Sequence, residues 1–370
     1  MSLRVVFYVF DVVLSGSDGI MMMLRRLSGR ARPPFAGTKI LNNFDMNQST
    51  TDEMYMRRCL QLAACGRRNA SPNPMVGAVI VARGRIIGEG YHVCCGEGHA
   101  EVNAFASVAP DDERLLPEAT MYVSLEPCAH YGKTPPCADL IVRKGVRRVV
   151  VGCVDTFAKV SGRGIEKLRA SGIDVTVGVL ESECRSLNRV FFTFNSLRRP
   201  FVTLKWAQSA DGYIDDRFRQ AAFSTPFTRM LVHKLRARHD AILIGSVTDR
   251  RDNARLNVRH WAGKDPLRIV IDRERPFFPG LDFSRPVVPQ LLEELWRRGV
   301  QSVLVEGGAF THGTFIASGM WDEIRVETAP VATGGGTKAP QLPSDIVVTG
   351  AETYGANTII TYGHARHDNI

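Results

Sequence analysis

His99-Ala100-Glu101-Val102, then Leu125-Glu126-Pro127-Cys128, then Gly132-Lys133-Thr134-Pro135-Pro136-Cys137, bring together one imidazole, two thiols and a carboxylate two residues from the imidazole. A catalytic zinc takes three protein ligands and keeps a fourth position for water, and one His with two Cys meets that count. Zinc held this way lowers the pKa of its water toward neutrality. Glu101 is placed to carry a proton without binding the metal. The flanking residues suit the ligands. Pro135-Pro136 before Cys137 reads as a helix start, because Pro fits the first helical turn. A cysteine at a helix N-terminus is favoured as the thiolate, the form that binds zinc. Residues 102–108, after His99, are apolar and read as a helix.

This donor set points to hydrolytic removal of an amino group from a nucleobase-like ring. The thiols are separated by eight residues, not by the two of the shorter deaminase signature. The competing reading is a structural zinc staple, which would have no use for Glu101.

Outward from the ligands, strands alternate with helices. Helical spacing runs over 52–66, with Thr51 or Asp52 as the N-cap. Residues 76–81 and 85–88 read as strands joined at Arg83-Gly84, followed by strands at 120–125, 149–154 and 174–178, with a helix ending near Gly145. The pattern predicts a three-layer α/β domain with a largely parallel centre. A boundary falls near Arg198-Arg199-Pro200. A second α/β run follows, with strands at 201–205, 241–245, 267–271 and 302–305, and helices through Leu235 and over 289–298.

At 370 residues, the length suggests two domains. All eight cysteines precede residue 185, which argues against a disulfide scaffold and fits a reduced, cytoplasmic setting. No apolar run approaches the roughly 18 residues of a membrane span. The net charge of +9 suits anionic partners, either nucleic acid or phosphorylated small molecules. The arginines are scattered, with no basic block interleaved with aromatics, so neither nucleic acid nor membrane is expected as a partner. Residues 1–45 read as a leader outside any domain. Asp11 interrupts the apolar run 5–14, and 21–41 hold four arginines and one lysine with no acidic residue. Translation starting at Met46 is the preferred reading, a transit peptide the alternative, and the leader is expected to pack poorly.

Further markers are Pro72-Asn73-Pro74-Met75-Val76-Gly77, Gly88-Glu89-Gly90-Tyr91-His92, Ser209-Ala210-Asp211-Gly212 and Val305-Glu306-Gly307-Gly308. Through these and the ligand motifs, over about residues 52–342, the chain resembles the bifunctional riboflavin-biosynthesis deaminase–reductases. The resemblance implies a cytidine-deaminase-like domain over 46–198 and a dihydrofolate-reductase-like α/β domain over 199–370. It implies Zn2+ on His99, Cys128 and Cys137, with Glu101 catalytic. It also implies a phosphorylated substrate, 2,5-diamino-6-(5-phosphoribosylamino)pyrimidin-4-one, whose ring amino group is lost before NADPH reduces the ribosyl to a ribityl group. A homo-oligomer, dimer or tetramer, comes with it.

By the same resemblance, Asn73 meets the pyrimidine edge, and His92, Lys133 and Asp155 line that pocket. In the second domain, Ala207, Thr248 and Asp252 sit by the nicotinamide cofactor. Gly308, Ala309, Phe310, Thr311, His312, Gly313 and Thr314 follow a strand and open a helix, where backbone N–H groups can cradle a phosphate. Arg236 would hold the substrate phosphate, a task suited to a guanidinium fork. Leu256 and Arg259 contact substrate, and Glu306 meets ribose hydroxyls. The chain departs from the family at Thr156-Phe157-Ala158, where prolines are usual, and at Gln220-Ala221-Ala222, in place of a Ser-x-Trp. The segment after Asp272 is short, which predicts the loss of a strand and part of the cofactor cleft. A deaminase with a non-reducing second domain is therefore one alternative, and a nucleic-acid-editing deaminase another.

Overall fold

The computed structural model describes residues 48–131, 135–155 and 162–365, so the leader, Lys133 and the 156–158 departure lie outside the described residues. Strands β1 (Gly77–Ala82) and β2 (Arg85–Tyr91) form a hairpin. Its turn, Arg83-Gly84, takes φ values of 52° and 74°, the left-handed pair that a two-residue hairpin demands. Strand β3 (Thr120–Leu125) pairs antiparallel with β1 and parallel with β4 (Arg148–Cys153), which runs parallel to β5 (Asp174–Val177). The sheet order is β2-β1-β3-β4-β5. The expected parallel centre is thus confined to β3–β5, because the tight turn forces β1 and β2 to run antiparallel.

Every residue of β1 is buried, and the strand's period of two divides them between two layers. Ala78 and Ile80 pack with helices α2 (Ala100–Ala106), α3 (Cys137–Lys144) and α4 (Arg163–Ala170). Val79 and Val81 pack with α1 (Gln48–Cys65), α5 (Glu181–Leu187) and α6 (Arg189–Leu197). Three layers result. Helix α1 starts earlier than the spacing suggested, and Asp52 is not its cap. The Asp52 carboxylate is buried a turn inside the helix, where it accepts from Arg148 Nη1 and Nη2 (2.8 and 2.7 Å), Tyr122 Oη (3.0 Å) and Gln48 Nε2 (2.9 Å). Neutralising that guanidinium takes precedence over capping.

Helix α6 ends at Leu197, and β6 (Phe201–Gln208) opens a second sheet. The other strands are β7 (Ala241–Gly245), β8 (Leu267–Ile271), β9 (Ser302–Val305), β10 (Glu323–Thr328), β11 (Ile346–Tyr354) and β12 (Asn357–His364). Their order is β11-β12-β10-β6-β9-β7-β8, with β6 parallel to both β9 and β10. Leu243 and Val305 pack with α9 (Val287–Arg297) and α10 (Ala309–Ser318). Ile242 and Leu304 face the side of α7 (Pro226–Arg236), and the short α8 (Ser246–Asp252) follows β7. Helix α9 shows why it forms: Val288, Leu291, Leu292 and Leu295 are a buried stripe at helical spacing.

After β8, a sheet edge, the chain reaches α9 through residues 272–286 with no strand among them. Phe278 in that segment is fully buried, with the Arg298 guanidinium 4.5 Å from its ring centroid. Among the described residues, no helix is long and apolar enough to cross a membrane.

Candidate active sites

The first site is assembled from two helix N-termini. His99 is the N-cap residue of α2, with extended backbone (φ −69°, ψ 167°), and Glu101 lies in the first turn, buried. Helix α2 reaches this position because Gly88 and Gly90 let it lie on β2. A Cβ on Gly90 would stand 2.5 Å from Ala104 N. Cys137 opens α3 behind Pro136, and its backbone N–H points at Cys128 Sγ (3.3 Å). Cys137 Sγ lies 3.3 Å and Cys128 Sγ 3.6 Å from His99 Nδ1. The three ligating atoms all fall within 4.8 Å of one another, a soft N/S set with the spacing of a zinc centre. Hydrogen bonds from Cys137 and His99 hold the Cys128 thiol down at about 4, against the effect of burial. Burial pushes the Glu101 carboxyl up to about 7, and the charge on Cys128 adds to it.

Asn73 and His92 are linked to each other. His92 Nδ1 donates to Gly98 O (3.1 Å), which leaves Nε2 to accept from Asn73 Nδ2 (3.1 Å). Burial, and after it the neighbouring His99, holds His92 below its usual range, in the neutral form this arrangement requires. His92 therefore stands behind Asn73 and supports it. Asp155 is buried, with its N–H donating to Glu126 Oε2 (3.3 Å). Glu126 stands in the quoted ligand motif, but the sequence assigns it no role. Its carboxylate also accepts from Gly162 N (3.0 Å) and Gly164 N (2.9 Å), tying the segment before Cys128 to the start of α4. A carboxylate beside a ligand motif was the available signal.

The second site is a cleft of about 1330 Å³ at the C-terminal ends of β6, β7, β8 and β9, the side where parallel strands present their loops. Ala207, Thr248, Asp252, Arg236, Arg259 and Glu306 line it. So do Gly308 to His312 and Thr314. Gly308 has φ 70°, and a Cβ there would stand 3.0 Å from Thr248 Oγ1, so glycine keeps the mouth of α10 open. Burial raises the Asp252 carboxyl above its usual range. Residues 271–274 and Phe283 also line the cleft, so the short segment after Asp272 still closes one side.

Two expected residues lie elsewhere. Leu256 is buried with Ile242, Ile244 and Leu304, in left-handed backbone (φ 54°), because its side chain fills the layer under α7. Gly313 is not among the lining residues, since it falls on another face of α10. Arg236, which lines the cleft, has its guanidinium engaged by neighbouring protein groups. Its Nε and Nη2 donate to Glu306 Oε1 and Oε2 (2.8 and 2.7 Å), and its Nη1 to Asn257 O (3.2 Å). The pair is nearly dry, at 12 and 9% side-chain exposure. Burial works against the Glu306 carboxylate, but Arg236 outweighs it and holds the group below its usual range.

His312 faces this cleft as expected, and so does Lys205, which no local sequence pattern marks. The ring of His312 lies 5.2 Å from Trp206, and neither ring nitrogen has a partner among the described residues. Burial, with Lys205 adding to it, drives His312 down to about 3, so the ring is neutral. Orphaned buried polar atoms in an open cleft fit a site built for a polar ligand such as a dinucleotide.

Residues 49–153 match the cytidine and deoxycytidylate deaminase zinc-binding region, and residues 200–359 match the RibD C-terminal domain. The riboflavin biosynthesis protein RibD of Aquifex aeolicus is 37% identical over 325 residues, covering 79% of this chain and 90% of that protein. RibD of Escherichia coli is 35% identical over 330 residues, covering 76 and 89%. The crystal structure of a diaminohydroxyphosphoribosylaminopyrimidine deaminase/5-amino-6-(5-phosphoribosylamino)uracil reductase from Thermotoga maritima superposes with a TM-score of 0.78 at 33% identity. It covers 86% of this chain and all of that one. With zinc-type donors in one half and a dinucleotide-sized cleft in the other, the chain belongs to the RibD family of riboflavin biosynthesis proteins.

Proposed function

We propose that residues 46–198 deaminate 2,5-diamino-6-(5-phosphoribosylamino)pyrimidin-4-one hydrolytically, and that residues 199–370 then reduce its ribosyl group to ribityl with NADPH. The observation that carries the reading is the cluster of His99, Cys128 and Cys137 with buried Glu101 beside it. Zinc on those three ligands supplies Lewis-acid activation of water. Glu101, poised near neutrality, takes a proton and returns it to the departing nitrogen. Asn73, braced by His92, presents its amide to the pyrimidine edge, and the family resemblance assigns Asp155 and Lys133 to the same pocket.

In the second half, NADPH supplies hydride. Thr248, Asp252, Ala207 and the open mouth of α10 at Gly308 would hold it. Glu306, kept ionised by Arg236, accepts from ribose hydroxyls. With Arg236 so occupied, Arg259 is the better guanidinium for the substrate phosphate. A degenerate second domain is not favoured, because residues 200–359 match the RibD C-terminal domain and polar side chains line the cleft. The chain acts on a small molecule, not on nucleic acid, as a cytoplasmic homo-oligomer whose mass light scattering would measure.

The direct test follows ammonia release from this substrate by zinc-loaded protein, with and without NADPH, and NADPH oxidation in parallel. Ammonia with matched NADPH consumption is expected. Ammonia without NADPH oxidation would remove the reductase half of the reading, and no ammonia would remove the substrate.

A further inference from the structure

We infer that Gln301, a residue of the reductase half, positions the loop that presents Asn73 in the deaminase half. Its consequence for catalysis rests on the deaminase reading above, while its structural part does not. The backbone of Gln301 leads into β9 of the second sheet: its O accepts from Phe201 N (2.8 Å), and its N donates to Asp240 Oδ2 (2.9 Å). The side chain reaches into the other half. Its Oε1 accepts from Ser71 Oγ (3.1 Å), and its Nε2 donates to Pro72 O (2.9 Å). Both ends of one amide are therefore used on the two residues immediately before Asn73. Gln301 is only 6% exposed, so water does not replace these bonds freely.

The loop has two other braces, both from the first 200 residues. Asn73 Nδ2 meets His92 Nε2, and Asn188 clamps Met75 by accepting from its N and donating to its O, each at 2.8 Å. His92 and Asn188 restrain residues 73 and 75, and Gln301 restrains 71 and 72. Asn73 N also donates to Ala70 O (2.8 Å), closing a turn over 70–73, and Gln301 fixes the two residues inside that turn. A side-chain amide placed to within hydrogen-bond tolerance by a neighbouring domain is a positioning device for substrate affinity, not a chemical participant.

The test uses the full chain, zinc-loaded, with Gln301→Ala, Gln301→Glu and Ser71→Ala. Each neutral hydrogen bond is worth about fivefold in an equilibrium. On that scale, Gln301→Ala, which loses two bonds, should raise the deamination KM by up to about 25-fold, and Ser71→Ala, which loses one, about fivefold. Gln301→Glu, which keeps the acceptor for Ser71 and loses the donor for Pro72, should fall between them. Deamination kcat should hold within about twofold. Reduction of the already deaminated substrate should keep its wild-type KM and kcat. Hydrogen exchange supplies a readout without substrate: residues 71–76 should exchange faster in Gln301→Ala while 302–305 do not. Unchanged KM together with unchanged exchange overturns the inference. So does a parallel fall in both activities, which marks a domain staple with no positioning role. Should Gln301→Ala fail to fold, Ser71→Ala decides the matter, because it removes one hydroxyl. Faster exchange in Gln301→Ala, together with wild-type protein that releases no ammonia from this substrate, would sink the substrate reading and leave the positioning intact.

Discussion

The two sites are built by opposite means. In the first, three ligating atoms lie within 4.8 Å, and they sit on or beside the opening residues of two short helices, α2 and α3. In the second, a cleft of about 1330 Å³ gathers residues from four strand ends and four helices. The first concentrates charge and chemistry on a point, so its residues are individually decisive. The second spreads recognition over a wide surface and sets a nearly dry ion pair, Arg236 with Glu306, in its wall. A point site is expected to fail abruptly and a surface site by degrees, and four experiments press on that difference.

The largest effect belongs to metal removal. Chelation should take ammonia release to background and added zinc should restore it, while NADPH oxidation with pre-deaminated substrate continues; loss of both would show that zinc also supports the second half. Next comes Glu101→Gln. General acid–base groups contribute about 10²–10⁴ in rate, so a loss of deamination kcat near 10³-fold is expected, with reduction untouched. An activity within tenfold of wild type would move the proton-carrying role elsewhere.

Glu306→Ala should act on stability as well as on reduction. It leaves the Arg236 guanidinium buried without its partner, which costs about 3–5 kcal/mol. Denaturant titration would measure that. Glu306→Leu with Arg236→Met should recover most of the stability without recovering reduction, separating the pair's two roles.

The smallest effect is a pH dependence at Asp52. Burial raises this carboxyl, but Arg148, Gln48 and Tyr122 outweigh burial and hold it below the unfolded value of 3.8. A depressed folded pKa gives stability that is fully present above the unfolded value and lost as the pH falls through the folded one. Asp52→Asn should therefore lower Tm at pH 7, and the gap to wild type should narrow below about pH 4. A gap that stays constant across that range would rule out the ion pair as its source.

Point chemistry is also what made the first site legible. Metal ligation fixes residue type and local spacing together, so His99, Cys128 and Cys137 announce themselves along the chain. The pairing of Arg236 with Glu306 joins residues 70 positions apart through the meeting of α7 with the end of β9, and no local pattern encodes it. Leu256 illustrates the converse: a leucine placed at substrate by resemblance turns instead into the layer under α7. Strands β10–β12 went unread for another reason. Along β11 the solvent-exposed positions outnumber the rest and include Val347 and Val348, so hydrophobic alternation carries no signal there. Asp52 was read as a cap because its partner, Arg148, lies on a strand far along the chain.

The doubly bonded Arg236–Glu306 pair also constrains inheritance. Loss of the carboxylate strands a buried cation, and loss of the guanidinium strands a buried anion, so neither position can drift alone without damaging the fold. The two are passed on as a unit or replaced as a unit. Among descendants of this gene, a lineage that has exchanged both for apolar residues would be one whose second half is kept as a scaffold for the first.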